Sequence, residues 1–199
     1  MPGRLRDKVA IVTGSGQGIG AATARCFAAE GAIVVVAEQN TETGARIADE
    51  LVNSGARALF VRTDVTDRAS VNAMAAAVEK SLGTPDILVN NAGISVFRDP
   101  LQTTEDEWRR CMAVDLDGVW FCCRAVLPAM LAAGRGAIIN IASTHSFKIV
   151  PRCFPYPVAK HSRQRDSAGL HRDADRDQLL EHLPGPGGGK APRLRAASA

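Results

Sequence analysis

Val9-Ala10-Ile11-Val12-Thr13-Gly14-Ser15-Gly16-Gln17-Gly18-Ile19-Gly20 runs from a short apolar stretch straight into a loop in which every second residue is glycine. An apolar run that short, closed by a turn, reads as a strand buried on both faces of a parallel sheet. Glycine lets the chain turn tightly and lets backbone N–H groups approach a pyrophosphate, which then sits at the positive end of the following helix. Residues 21–30 have helical composition, and Gly31 stands where a helix would stop. Strand, glycine loop and helix in that order form the context in which such a loop binds a dinucleotide.

The strand signal recurs at Ile33-Val34-Val35-Val36, Ala58-Leu59-Phe60-Val61, Ile87-Leu88-Val89 and Ala137-Ile138-Ile139-Asn140-Ile141. Helices are predicted over about 42–53, ended by Gly55, and over about 68–82, with Asp67 as the N-cap. A longer helix is predicted from Trp108 to Leu131, broken near Asp115. Five strands joined by helical crossovers predict an α/β fold with a doubly wound parallel sheet. Ligands in such sheets bind at the carboxyl ends of the strands, where the strand order reverses.

Composition narrows the function classes. With 46% hydrophobic and 23% charged residues, the chain suits an ordinary globular protein. No apolar run approaches the ~20 residues needed to span a bilayer, so no membrane association is expected. The charged N-terminus leads directly into the first strand, and no signal peptide is expected. A formal net charge of +3 is too small to argue for nucleic acid. Cys26, Cys111, Cys122, Cys123 and Cys153 are odd in number and lack C-x-x-C spacing, which predicts free thiols, a cytoplasmic protein and no metal site.

The glycines follow the spacing Gly14-xxx-Gly18-x-Gly20, and further motifs come in a fixed order after it. Asp64-Val65 follows the third strand, and Asn90-Asn91-Ala92-Gly93 follows the fourth. Ser143 lies 13 residues before Tyr156 in Tyr156-Pro157-Val158-Ala159-Lys160, a Y-x-x-x-K pattern. In this order and spacing the first 160 residues resemble the short-chain dehydrogenase/reductase family. The resemblance implies a Rossmann-like domain over residues 1–160. It also implies NAD(P)-dependent hydride transfer between the nicotinamide and a secondary alcohol, sugar or ketone, in a homo-oligomer, either tetramer or dimer.

By that resemblance Gly14, Ser15, Gln17, Gly18, Ile19 and Gly20 hold the pyrophosphate. Asp64 and Val65 contact adenine, and Asn91, Ala92 and Gly93 line the cofactor. Glu38, at the end of the second strand, accepts hydrogen bonds from the adenosine ribose. Its charge repels a 2′-phosphate, so NAD is expected in preference to NADP. Arg25 and Arg46 lie within reach of the area, but their helical positions predict solvated faces. Tyr156 serves as general acid/base; a phenol titrates near pH 10, and a lysine at i+4 favours its ionised form. Lys160 also binds the nicotinamide ribose, and Ser143 hydrogen-bonds the substrate oxygen. Asp115 stands where the family carries a catalytic asparagine that holds a relay water. His145, two residues after Ser143, is read as a satisfied loop histidine.

After Lys160 the composition changes. Residues 161–199 contain no Val, Ile, Thr, Phe, Tyr, Trp, Met or Cys, and Pro184-Gly185-Pro186-Gly187-Gly188-Gly189 would break any helix. The tail's 7 Lys/Arg against 5 Asp/Glu, with no aromatic residue, argue against a nucleic-acid arm. The tail is read as a separate, non-family segment, largely disordered after a short helix near Asp175–Leu183. On this reading the fold is C-terminally incomplete, and the alternative function is a catalytically inactive, truncated nucleotide-binding remnant. An abrupt loss of strand-forming residues predicts a shifted reading frame from about residue 161. Translating the coding DNA after codon 160 in the other two frames is expected to yield an apolar helix, a strand and a Pro-Gly turn. Their absence from both frames overturns the idea.

Overall fold

The computed structural model of the chain describes residues 3–146, 148 and 150–160. The short helix, disorder and missing strands expected of residues 161–199 lie outside the described residues. Strand β1 (Val9–Thr13) is buried at every position. It pairs in parallel with β2 (Ile33–Glu38), from Val9 opposite Ile33 to Thr13 opposite Ala37. On its other side it pairs in parallel with β4 (Ile87–Asn90), from Ala10 opposite Ile87 to Val12 opposite Val89. With β3 (Arg57–Arg62) outside β2 and β6 (Ala137–Asn140) outside β4, the strand order is β3-β2-β1-β4-β6. The chain moves outward to β3 and then crosses back, so the order reverses between β1 and β4. This is the doubly wound parallel sheet that the sequence predicts.

Alternation along the strands sorts the core into two layers. Val9 and Ile11 of β1 and Val35 of β2 face one side, with Val71, Met74 and Val78 of α3 (Arg68–Leu82) and Cys122, Val126 and Met130 of α5 (Gly118–Ala132). Ala10 and Val12 of β1 and Val34 and Val36 of β2 face the other. They pack with Ala21 and Ala24 of α1 (Gly18–Ala29) and Ile47 and Leu51 of α2 (Thr41–Asn53). Each fully buried aliphatic side chain contributes about 1.5–3 kcal/mol, so both faces of β1 are needed to hold the sheet. The Asp67 side chain caps α3 by accepting from the Ala69 amide at 2.9 Å, as the sequence predicts.

The long helix differs from its reading. It starts at Glu105, three residues before Trp108, because Thr104 and Glu107 form a capping box. Near Asp115 it widens instead of breaking: α4 (Glu105–Met112) continues through a π segment (Ala113–Asp117) into α5. The Gly118 amide bonds the Ala113 carbonyl five residues back, so one extra residue fits into the turn and the fully buried Asp115 lies on it. A further pair of strands, β5 (Phe97–Arg98) and β7 (Phe154–Pro155), is antiparallel. Two residues each are too short to show periodicity, so neither was visible in the sequence. The pair, with the Trp108 and Phe154 rings 5.7 Å apart, fixes the entry to the Tyr156 segment.

At the amino end of the sheet Asp86 is 7% exposed. Its Oδ1 accepts from Arg135 Nε at 2.8 Å and Lys8 Nζ at 3.2 Å, and its Oδ2 accepts from the Val9 amide at 3.0 Å. Burial opposes its ionisation, but Arg135, the Val9 amide and Lys8 outweigh burial and hold the carboxyl below the usual range. A depressed folded-state pKa contributes stability above the unfolded value of about 3.9, and that contribution is lost as pH falls through the folded value. Asp86→Asn is therefore expected to lower the unfolding free energy by about 1.5–3 kcal/mol at pH 7. The gap from the unmutated protein should close as pH drops below about 4. Urea unfolding of both proteins at pH 7 and pH 3 checks this.

Candidate active site

The carboxyl ends of β1 and β4 are clamped together by side chains. Buried Thr13 accepts the Asn91 and Ala92 amides at its hydroxyl oxygen, both at 3.1 Å. The Asn91 side chain donates to the Thr13 and Gly14 carbonyls at 2.9 and 3.1 Å. A Cβ at Gly20 would lie 2.3 Å from the Gly14 carbonyl oxygen and 2.5 Å from Asn91 Nδ2, so only glycine lets α1 begin this close to the loop. Ser15 is fully buried and donates to the Val12 carbonyl at 2.7 Å, shaping the turn, while Gln17, Gly18 and Ile19 are exposed on its rim. The first turn of α1 has no side-chain cap and no acidic residue. Its amides and positive end are therefore suited to an anion.

Glu38, at the end of β2, accepts from the Gly16 and Asn40 amides, both at 3.0 Å, and so ties the loop to the second strand. Arg25 is paired with Glu50 on the helical surface. Arg46 corrects the sequence reading. It is exposed, yet its guanidinium reaches inward to the Gly16 carbonyl at 3.3 Å, since α2 packs over the loop. At the end of β3, Asp64 accepts from Thr66 and from the Gln39 side chain at 2.8 Å, joining the ends of β2 and β3. Val65 is buried in the core beneath it. Asn90 donates to the Asn140 side chain at 2.9 Å, linking the ends of β4 and β6.

Gly93 bridges this nucleotide side of the rim to a second cluster. A Cβ there would lie 2.6 Å from Asp115 Oδ1 and 3.0 Å from Lys160 Nζ. Lys160, 3% exposed, pairs directly with Asp115 Oδ1 at 3.0 Å. Asp115 Oδ2 accepts from the Ile94 amide at 3.1 Å and from the Cys111 thiol at 3.7 Å. Burial, reinforced by the carboxylate beside it, pushes that thiol up to about 12. Lys160 Nζ lies 5.3 Å from the centre of the Tyr156 ring, and the His145 ring meets Tyr156 edge-on at 5.9 Å. The Ser143 hydroxyl oxygen accepts from the His145 amide at 3.2 Å, which leaves its proton to donate. His145 is less satisfied than its reading, since Nδ1 is buried without a hydrogen-bond partner among the described residues.

The glycine loop, Asn91–Gly93, Asp115, Lys160, Tyr156 and Ser143 thus form one connected rim at the carboxyl ends of the strands. Sequence reasoning missed the roles of Thr13, Cys111 and Ser146. Ser146 donates to the Lys160 carbonyl at 3.0 Å and so docks the Ser143 turn on the Tyr156 helix. Cys111 alone carried a signal, its i, i+4 spacing from Asp115 on a predicted helix.

A family model described as short chain dehydrogenase matches residues 8–188, a span that runs past Lys160. An uncharacterized oxidoreductase of Thermotoga maritima is 43% identical over 160 residues, 78% of this chain and 61% of that protein. Meso-2,3-butanediol dehydrogenase of Serratia marcescens is 44% identical over 140 residues, 70% of this chain and 55% of that protein. The chain thus spans 55–61% of the length of these two relatives. Among solved structures, a gluconate 5-dehydrogenase from Burkholderia cenocepacia, in complex with NADP and tartrate, superposes with a TM-score of 0.81 at 38% identity. That match covers 87% of this chain and 68% of the other. A model match over most of the chain, with relatives above 40% identity agreeing on it, makes this chain a member of the short-chain dehydrogenase family.

Proposed function

We propose that the protein is an NAD-dependent oxidoreductase that interconverts a secondary alcohol or sugar and its ketone. The observation that carries this is the continuity of the rim. An uncapped helix N-terminus and glycine loop are joined through Asn91–Gly93 to a buried lysine beside the only tyrosine in the chain. Diols and sugar acids named among the relatives, a butanediol and a gluconate, support a polyhydroxylated substrate. The five cysteines, all free, suit a reducing cytoplasm, and no described helix is long and apolar enough to cross a membrane. Assembly as a homo-oligomer is part of the same reading.

A nicotinamide dinucleotide bound along the rim supplies the hydride acceptor or donor. Gly14, Ser15, Gln17, Gly18, Ile19 and Gly20 would hold its pyrophosphate against the first turn of α1. Glu38 would accept from the adenosine ribose, Asp64 and Val65 would flank the adenine, and Asn91, Ala92 and Gly93 would line the middle. In oxidation, Tyr156 takes the proton of the substrate hydroxyl; in reduction it returns that proton to the forming alkoxide. The Lys160 ammonium beside the ring would favour the phenolate and would hold the nicotinamide ribose. Ser143 donates to the substrate oxygen and holds it toward Tyr156.

The Glu38 carboxylate supports NAD over NADP, because a 2′-phosphate brought beside it would meet like charge. Arg46 works the other way, since a guanidinium beside the loop suits a phosphate, and the gluconate 5-dehydrogenase from Burkholderia cenocepacia is in complex with NADP. NAD(H) is expected to bind at least about tenfold more tightly than NADP(H), about 1.4 kcal/mol. Glu38→Ala should narrow the gap and Arg46→Ala should widen it. Fluorescence titration with both nucleotides checks this, and equal curves for the unmutated protein overturn the preference.

Tyr156→Phe keeps the ring and removes only the titrating hydroxyl. Turnover is expected to fall at least about a hundredfold, with NAD affinity nearly unchanged. Lys160→Met should weaken both. Steady-state oxidation over a panel of secondary alcohols and sugars, run beside NAD titration, reads both quantities. Undiminished turnover in Tyr156→Phe overturns the mechanism. NAD binding without turnover by the unmutated chain supports the inactive nucleotide-binding alternative instead.

A further inference from the structure

Asp115 is fully buried, and each of its oxygens is engaged: Oδ1 by Lys160 Nζ at 3.0 Å, Oδ2 by the Ile94 amide at 3.1 Å and the Cys111 thiol at 3.7 Å. The carboxylate thus faces an ammonium, an amide and a thiol at close range. No water intervenes between it and the lysine at that distance. The ammonium that stands 5.3 Å from the Tyr156 ring centre therefore shares its charge with a carboxylate in direct contact. The other titratable groups packed about this pair, among the described residues, are His145 against the Tyr156 ring, Cys111 beneath Asp115, and Cys153 close to Cys111. Burial raises both thiols, which disfavours a thiolate at either position. Asp115 thus puts a carboxylate in direct contact with the lysine.

We propose that Asp115 is a positioning residue that pairs with Lys160 and thereby sets the pH at which Tyr156 ionises. It raises that pH above the value a neutral side chain would give. The inference rests on reading Tyr156 as the acid/base, but it can be tested without turnover. Removing the carboxylate takes one negative charge away from the lysine beside the phenol, so the phenolate forms at lower pH. Removing the lysine leaves an uncompensated negative charge, so it forms at higher pH.

The chain contains a single tyrosine, so the phenolate band near 295 nm reports Tyr156 alone, at a wavelength where thiolates do not absorb. The full chain without nucleotide would be titrated as the unmutated protein, Asp115→Asn, Asp115→Ser, Lys160→Met and the double variant Asp115→Asn/Lys160→Met. Circular dichroism would follow the fold at each pH. Both Asp115 variants are expected to lower the midpoint by about half a unit or more, and Lys160→Met to raise it. The double variant should fall between Asp115→Asn and Lys160→Met. A midpoint that is unchanged or raised in folded Asp115→Asn or Asp115→Ser overturns the proposal. Unfolding of both Asp115 variants also overturns it, since Asp115 would then serve stability alone. Tyr156→Phe turnover tests the acid/base reading separately, so failure of either idea leaves the other measurable.

Discussion

Two adjacent parallel strands that end side by side leave amides and carbonyls that need partners, in the one place that must stay open to a ligand. In this protein Thr13 and Asn91 resolve that conflict. Their side chains take up two amides and three carbonyls where β1 and β4 diverge. The loop is thereby rigid without using the first amides of α1, which stay available. Glu38 extends the scheme to the second strand, because its carboxylate holds the Gly16 amide in the state described here. A ribose that reaches Glu38 must share or displace that bond. On the proposed reading, cofactor selection and loop geometry are therefore coupled through one side chain.

The sheet carries a buried carboxylate at each end, and the two serve different purposes. Asp86 joins the strand starts through Lys8, Arg135 and the Val9 amide, with both cations half in solvent. Asp115 meets a lysine that is itself buried, and each would be costly to leave alone. Replacing both by apolar residues would be less costly than removing one, so stability does not explain the retention of the charged pair. The proposed pairing beside Tyr156 gives the charged pair a role that stability does not.

Much of this was legible from local pattern. Five short apolar runs gave five strands because full burial on both faces leaves a continuous β-branched signature, and Asp67 marked its helix because a cap is a local interaction. Features set by tertiary packing were not legible. The inward reach of Arg46 depends on how α2 lies over the loop, and the bond from Ser146 to the Lys160 carbonyl joins residues whose proximity no spacing encodes. The β5–β7 pairing is too short for periodicity. The Thr104–Glu107 capping box is readable as T-x-x-E, a local signal that lies ahead of the apolar residues from Trp108 onward.

The widened turn at Ala113–Asp117 divides the long helix into two lengths whose facing is set independently. α4 turns Cys111 inward beneath the site and α5 turns Val126 and Met130 against the sheet, and the additional residue absorbs the angular mismatch between them. A single-residue deletion within this turn would leave an ordinary helix with both flanks still packed. It would also rotate the inward carboxylate away from Lys160. Sequence length in this one turn, as much as residue identity, thus decides whether a charge lies under Lys160.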